Sequence, residues 1–194
     1  MSNQAQITHL EFPESVRRRR GMYIVDKAHA VFELVDNSID ESAAGYCDAI
    51  VVAVVGNRIT VEDNGRGIPV TPHKDPKFKG LSQAEVAMTT LHAGAKFSGE
   101  EGSYTSHTGG MNGVGASCVN ALSSRFEMSI KTAGKKYEAV LEKGLIVTPI
   151  HEVEDADTTG TSITFEFDDE IWEDETLDLN KVKKRMRQLA FLNP

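Results

Sequence analysis

The chain has 194 residues, 21 Lys and Arg against 29 Asp and Glu for a formal charge of −8, and 40% hydrophobic but only 7% aromatic residues, enough for one medium-sized domain or two small ones with a sizeable core. No apolar run approaches the roughly 18 to 20 residues of a membrane-spanning helix, and Met1 to Leu10 has no basic or apolar signal-like region, so we expect a soluble, cytoplasmic protein with no membrane partner. The acidic balance argues against a non-specific DNA clamp, and Cys47 and Cys118, far apart and without Cys or His at metal-ligand spacing, argue against a disulfide framework or a structural zinc site.

Along the chain, Phe12-Pro13 opens a short helix that Gly21 ends. The run Arg17-Arg18-Arg19-Arg20 at that helix end reads either as a nucleic-acid patch or as cations complementing the helix dipole. Ala28 to Ala44 reads as a longer helix stopped by Gly45. Ile50 to Val55 and Arg58 to Glu62 are β-branched runs joined by Gly56-Asn57, the form of a hairpin. Gln83 to His92 is helical in pattern, Gly94 to Asn112 is a glycine- and serine-rich loop, and Gly113 to Leu122 is another helix. Strands follow at Phe126 to Lys131, Lys136 to Leu141 and Ser162 to Phe167, with a closing helix from Leu179 to Phe191. No Lys or Arg lies between Lys143 and Lys181, a stretch that holds 12 of the 29 acids, and Glu152 to Asp178 reads as a solvated loop and an exposed hairpin edge. Without repeats or linkers, this is one domain with a mostly antiparallel sheet covered by helices on one face.

Three segments carry chemistry. On the helix Ala28 to Ala44, Val31, Leu34, Val35, Ser38 and Ser42 fall on one side and His29, Glu33, Asp36, Asn37 and Asp40 on the other. That polar side could simply be solvated. Asn and Asp are poor interior helix residues, however. The single file His29, Glu33, Asn37 lets a His hold a Glu carboxylate while an Asn carbonyl faces a cation. Next, Asp63-Asn64-Gly65-Arg66-Gly67-Ile68-Pro69 follows a strand directly. It suits a plain turn, but its glycines also let a flat ring lie on the backbone while the Asp accepts from an exocyclic amine. Third, Gly109-Gly110-Met111-Asn112-Gly113-Val114-Gly115 precedes a helix, and consecutive N–H groups there suit phosphates. It matches neither the Walker A pattern nor the dinucleotide fingerprint.

In order and spacing, the segments Glu33 to Glu41, Asp63 to Pro69 and Gly109 to Gly115 resemble the three ATP-binding motifs of the GHKL superfamily, the Bergerat fold. Arg20 to Ile24, Leu91 to Phe97, Val119 to Ser123, Thr159 to Thr161 and Leu189 to Asn193 resemble, more narrowly, the ATPase domain of bacterial type IIA topoisomerases, the gyrase B and ParE (topoisomerase IV) family. The resemblance implies an α+β, two-layer α/β sandwich with a mixed, mostly antiparallel sheet. It implies ATP and Mg2+ as cofactors, with Glu33 as the base that polarises the attacking water, His29 orienting it, and Asn37 as the metal ligand. Asp63 would recognise adenine, assisted by Gly67 and Thr161, with Ile68, Pro69 and Met88 walling the ring. Gly94 to Gly115 would form the ATP lid, where Lys96, Gly110, Gly113, Val114 and Gly115 meet phosphates.

The resemblance further implies an N-terminal ATPase domain over residues 1–194, with an arm at 1–12 and the lid at 94–112, the transducer, toprim and DNA-cleavage regions lying beyond. The full-length protein would homodimerise and pair with a gyrase A- or ParC-like protein and DNA. This part alone would bind DNA weakly and hydrolyse ATP slowly. A mismatch-repair type of GHKL ATPase and a non-hydrolysing dimerisation module are the alternatives. Against the usual pattern, Met111-Asn112 replace Leu-His, Glu138 falls where an Arg at the pocket mouth is usual, Arg20 stands where Pro is common, the stretch between Ile24 and His29 is short, and no tyrosine precedes Tyr23. Glu138 is expected to alter aminocoumarin sensitivity unless Lys136 or Arg66 fills the role.

Overall fold

The structure, a computed structural model, describes residues 10–91 and 114–193. A short helix α1 (Glu14–Arg18) and a 3-10 turn (Arg20–Met22) lead into α2 (Lys27–Ala43), whose N-cap Asp26 accepts from the His29 amide at 2.8 Å. The hairpin β1 (Ile50–Val55) and β2 (Arg58–Asp63) turns at Gly56-Asn57 as the sequence predicts. Helix α3 (Gln83–Thr89) starts on a complete capping box between Ser82 and Glu85. After the undescribed stretch come α4 (Gly115–Ala121), β3 (Ser123–Thr132), β4 (Lys135–Glu142), β5 (Leu145–Asp155), β6 (Gly160–Phe167), α5 (Asp169–Trp172) and α6 (Leu179–Leu192).

The strands form one sheet in the order β1-β2-β6-β3-β4-β5, and all five pairings are antiparallel, which narrows the expected mixed, mostly antiparallel sheet. Alternate residues turn toward the helices: Ile59 and Val61 on β2, Ile163, Phe165 and Phe167 on β6, and Phe126, Met128 and Ile130 on β3 are buried with Val31, Leu34 and Val35 of α2. The opposite face carries a polar lattice, with Arg58 paired to Glu166 and Glu127, and Arg125 to Glu127 and Glu142. This is the two-layer arrangement expected.

Two expectations change. Strand β5 begins at Leu145, where no strand is expected, and runs into Glu152 to Asp155, the start of the stretch read as loop and hairpin edge; Pro149 interrupts its apolar run, and a strand tolerates that proline here because β5 is at the sheet's edge. Its burial alternates regularly over the first half, but Leu145 and Val147 place apolar residues on the exposed face as well, which hides the period-two pattern, and its register against β4 slips three times. Asp40, on the solvated side of α2 by sequence period, is 5% exposed, for the last turns of α2 are covered by neighbouring chain, as at Glu41 beneath Arg66. Both cysteines are free and buried, as expected, and burial pushes the Cys118 thiol up to about 12, with the Glu33 charge adding to it.

The arginine run is structural. Arg17 donates to the Ala121 carbonyl at 2.9 Å and to Asp168 at 2.7 Å, Arg18 pairs with Glu14, and Arg20 pairs with Glu175 at 2.6 Å while lying 4.2 Å over Trp172. These contacts clamp α1 to α4 and α5. Arg17→Ala leaves the Asp168 carboxylate, 4% exposed, with its cap bond from the Glu170 amide at 3.2 Å and a 3.6 Å contact from Lys143 but no close cation, and should cost about 2 to 4 kcal/mol in chemical denaturation. Arg19→Ala, on an exposed residue, should cost less than about 0.5 kcal/mol.

Candidate functional site

Helix α2 presents its polar file toward the start of α4. His29 Nδ1 accepts from the Val25 amide at 3.2 Å, which fixes the ring hydrogen on Nε2, and that nitrogen lies 3.0 Å from Glu33 Oε1. The imidazole therefore donates to the carboxylate and holds it in place. The same carboxylate rests on the backbone of Gly115, where a Cβ would come within 1.9 Å of Glu33 Oε2. Asn37, one turn further along, is exposed, and no described residue hydrogen-bonds its carboxamide.

The second cluster forms where β2 ends. Asp63 pairs in register with Thr161 of β6, its Oδ2 accepts from Ser38 Oγ and its Oδ1 from the Gly65 amide, both at 2.9 Å. Burial dominates and raises the Asp63 pKa above the ordinary carboxylate value, although the Gly65, Ser38 and Thr161 hydrogen bonds oppose it. Gly67 turns the chain at φ +77, and a Cβ there would meet the Lys131 carbonyl at 2.5 Å, so the turn lies directly on the end of β3. Ile68 packs partly against the core, Pro69 is exposed with its carbonyl taking the Ala84 amide at 3.0 Å, and Met88 and Thr161 are buried.

The structure thus brings His29, Glu33 and Gly115 together at one end of α2, and Asp63, Gly67 and Thr161 at the other. Val114 is the cap residue of α4. Gly94, Lys96, Gly110 and Gly113, with the expected lid, lie outside the described residues, as do residues 1–9 of the expected arm. Glu138 is half-buried and paired with Lys136 at 2.9 Å, and Lys136 also reaches Glu154 at 3.3 Å. Arg66 is held bidentately by Glu41, at 2.8 and 3.1 Å, and its guanidinium lies 3.8 Å over the Tyr46 ring.

Two members of the site escape a reading of the sequence. Ser38 falls on the apolar side of the helix, and a hydroxyl in an apolar stripe is itself the signal. Glu41 continues the file His29, Glu33, Asn37 by one more turn. Among the described residues no group of three or more His, Cys, Asp or Glu is placed to hold a metal ion.

The family described as histidine kinase-, DNA gyrase B- and HSP90-like ATPases matches residues 24–171. The DNA gyrase B protein of Clostridium acetobutylicum is 45% identical over 197 residues, covering 98% of this chain and 30% of that protein. DNA gyrase B of Myxococcus xanthus is 45% identical over 193 residues, covering 96% and 23%. Among solved structures, the 43K ATPase domain of Thermus thermophilus gyrase B in complex with an aminocoumarin superposes with a TM-score of 0.76 at 35% identity, over 92% of this chain and 45% of that one. The chain spans less than a third of the length of these two curated relatives.

Because the raised Asp63 pKa disfavours its ionised form in the fold, its contribution to stability is fully present below the ordinary carboxylate range and is lost as pH rises through the folded value. In Asp63→Asn the carboxamide oxygen can keep the Gly65 amide while the Ser38 hydroxyl turns to accept from its nitrogen, so the variant is expected to melt at the same or a higher temperature than the parent at pH 7, with the gap closing toward pH 4. Thermal denaturation at the two pH values checks it, and a clear drop at pH 7 contradicts it.

Proposed function

Since the chain belongs to the family of histidine kinase-, DNA gyrase B- and HSP90-like ATPases, we propose that it binds and hydrolyses ATP as the ATPase domain of a type II DNA topoisomerase of the gyrase B or topoisomerase IV kind. The observation that carries hydrolysis, rather than binding alone, is the His29–Glu33 pair. A protein that only sensed nucleotide would need no oriented carboxylate. In this reading Glu33 takes a proton from the water that attacks the γ-phosphate, and the Nε2–H of His29 keeps the carboxylate aimed while it does so. Phosphoryl transfer asks mainly for positioning and charge stabilisation, which a helix of fixed side chains supplies.

At the other end Asp63 accepts from the adenine amino group. Ser38 and Gly65 already occupy one lone pair on each oxygen, which orients the remaining ones. Guanine would present a carbonyl to a carboxylate there, a mismatch of about 2 to 5 kcal/mol in a desolvated pocket.

Asn37 suits Mg2+, whose preference is for one or two protein oxygens with phosphates and water completing the octahedron. The neighbouring acids are committed elsewhere, Asp36 to Arg185 at 3.2 Å and Asp40 to the interior. When bound, the ion would neutralise developing charge on the phosphates. Lys96 and the amides of Gly113, Val114 and Gly115 would meet the same phosphates, within a lid over 94–112 that includes Gly94 and Gly110. Ile68, Pro69 and Met88 would wall the base, with Gly67 and Thr161 beside its amino group. The whole protein would work in the cytoplasm as a homodimer with a gyrase A-like protein and DNA, and residues 1–12 would serve as an arm; among the described residues no helix is long and apolar enough to cross a membrane.

Glu33→Ala should lower ATP turnover by about 10²- to 10⁴-fold while nucleotide affinity stays within about tenfold, since a base acts in the transition state. Calorimetric titration with a non-hydrolysable ATP analogue, beside a turnover assay, separates the two quantities. Equal loss of both would remove Glu33 from the chemistry.

A further inference from the structure

Helix α3 is anchored by a buried carboxylate that hydrolysis does not use. Glu85 is 2% exposed, and its Oε2 accepts from both the backbone amide and the hydroxyl of Ser82 at 2.8 Å, closing the capping box. Its Oε1 accepts from the amide of Ile150 at 3.0 Å, 65 residues later on the edge strand. Ile150 has that amide to give because β5 bulges there. Pro149 and Ile150 together stand opposite Ala139, between the pairs Glu138↔His151 and Val140↔Thr148, so one residue falls out of the ladder.

A capping box closes as well with Gln as with Glu. What Gln cannot do is accept at both ends of its side chain, since one end is an amide nitrogen. No described cation lies within ion-pair distance of Glu85, so the cost of burying its charge is met by these three donors alone. The bond to Ile150 is the reason for a carboxylate at this position.

Helix α3 in turn touches both expected walls of the base pocket. Its first residues take the Pro69 and Thr71 carbonyls, through the amides of Ala84 at 3.0 Å and Gln83 at 2.9 Å. Its last turn carries Met88, whose carbonyl accepts from the buried Asn120 side chain at 2.8 Å. We propose that Glu85 is a positioning residue for the adenine end of the site: by tying α3 to the bulge of β5 it fixes where α3, and with it Pro69 and Met88, stands against the sheet. The proposal rests on the nucleotide reading above.

The test uses the full chain. Glu85→Gln breaks the tie from the helix side and Ile150→Pro from the strand side, whereas Ser82→Ala weakens the cap and keeps the tie. With a non-hydrolysable ATP analogue in Mg2+, the first two should raise Kd about tenfold. Their ATP turnover at saturation should stay within about twofold, so that the loss appears in KM and not in kcat. Ser82→Ala should lower the melting temperature and leave Kd within about twofold. The proposal is overturned if Glu85→Gln and Ile150→Pro bind as the parent does, if they lose kcat in parallel with affinity, or if Ser82→Ala weakens binding as much as they do. A parent chain that binds no analogue overturns the nucleotide reading, and this proposal falls with it.

Discussion

A largely buried carboxylate held by donors from distant segments constrains this fold more than any other group. Asp63 is kept ionisable in a buried place only by hydrogen bonds, and each donor comes from a different part of the chain: Ser38 from α2, Gly65 from the turn after β2, and Thr161 from β6. One side chain therefore sets α2, β2 and β6 relative to one another. The close approach of Gly67 to the Lys131 carbonyl extends that registration to β3. Burial pushes such a group toward its neutral form and these hydrogen bonds oppose it, so the same contacts that register the elements also temper the shift.

Helix α2 is shared between chemistry and docking. One file, His29, Glu33, Asn37 and Glu41, runs the length of the helix beside the site. On another flank, Asp26 pairs with Lys181 and Asp36 with Arg185, and Phe32 lies about equally far, 6.0 Å, from both cations. Helix α6 therefore rests on the element that carries the His29–Glu33 pair. A shift of α6 along this charged ladder would be felt one residue from Glu33, at Phe32, through packing rather than through any contact with nucleotide.

Much of this is legible in the sequence, and the exceptions have physical causes. The 3.6-residue period of α2, the Gly56-Asn57 hairpin and the strands with inward Phe126, Met128, Ile163 and Phe165 follow from patterning that each element satisfies by itself. Strand β5 does not, because apolar Leu145 and Val147 sit on its exposed face and a proline interrupts the run, and it is held in the fold by its partner β4 and by Glu85. The arginine run admits two readings because charge alone cannot say which anions it meets; Asp168 and Glu175 lie over a hundred residues away in sequence. Ser38 looks like an apolar-side filler until Asp63 stands opposite it. In each case the missing information is a contact between distant segments, which local propensity does not encode.

The contact between Glu33 and Gly115 has an evolutionary consequence. A glycine codon becomes an alanine codon by a single base change, and the methyl group so added would come within 1.9 Å of the Glu33 carboxylate oxygen and push the side chain aside. Asp63 and its hydrogen-bond donors lie at the opposite end of α2 and would be untouched. If Glu33 is the base proposed above, a lineage of such domains stands one point mutation away from displacing it while leaving the Asp63 cluster intact. Hydrolysing and purely sensing members could arise from one another without any change in fold.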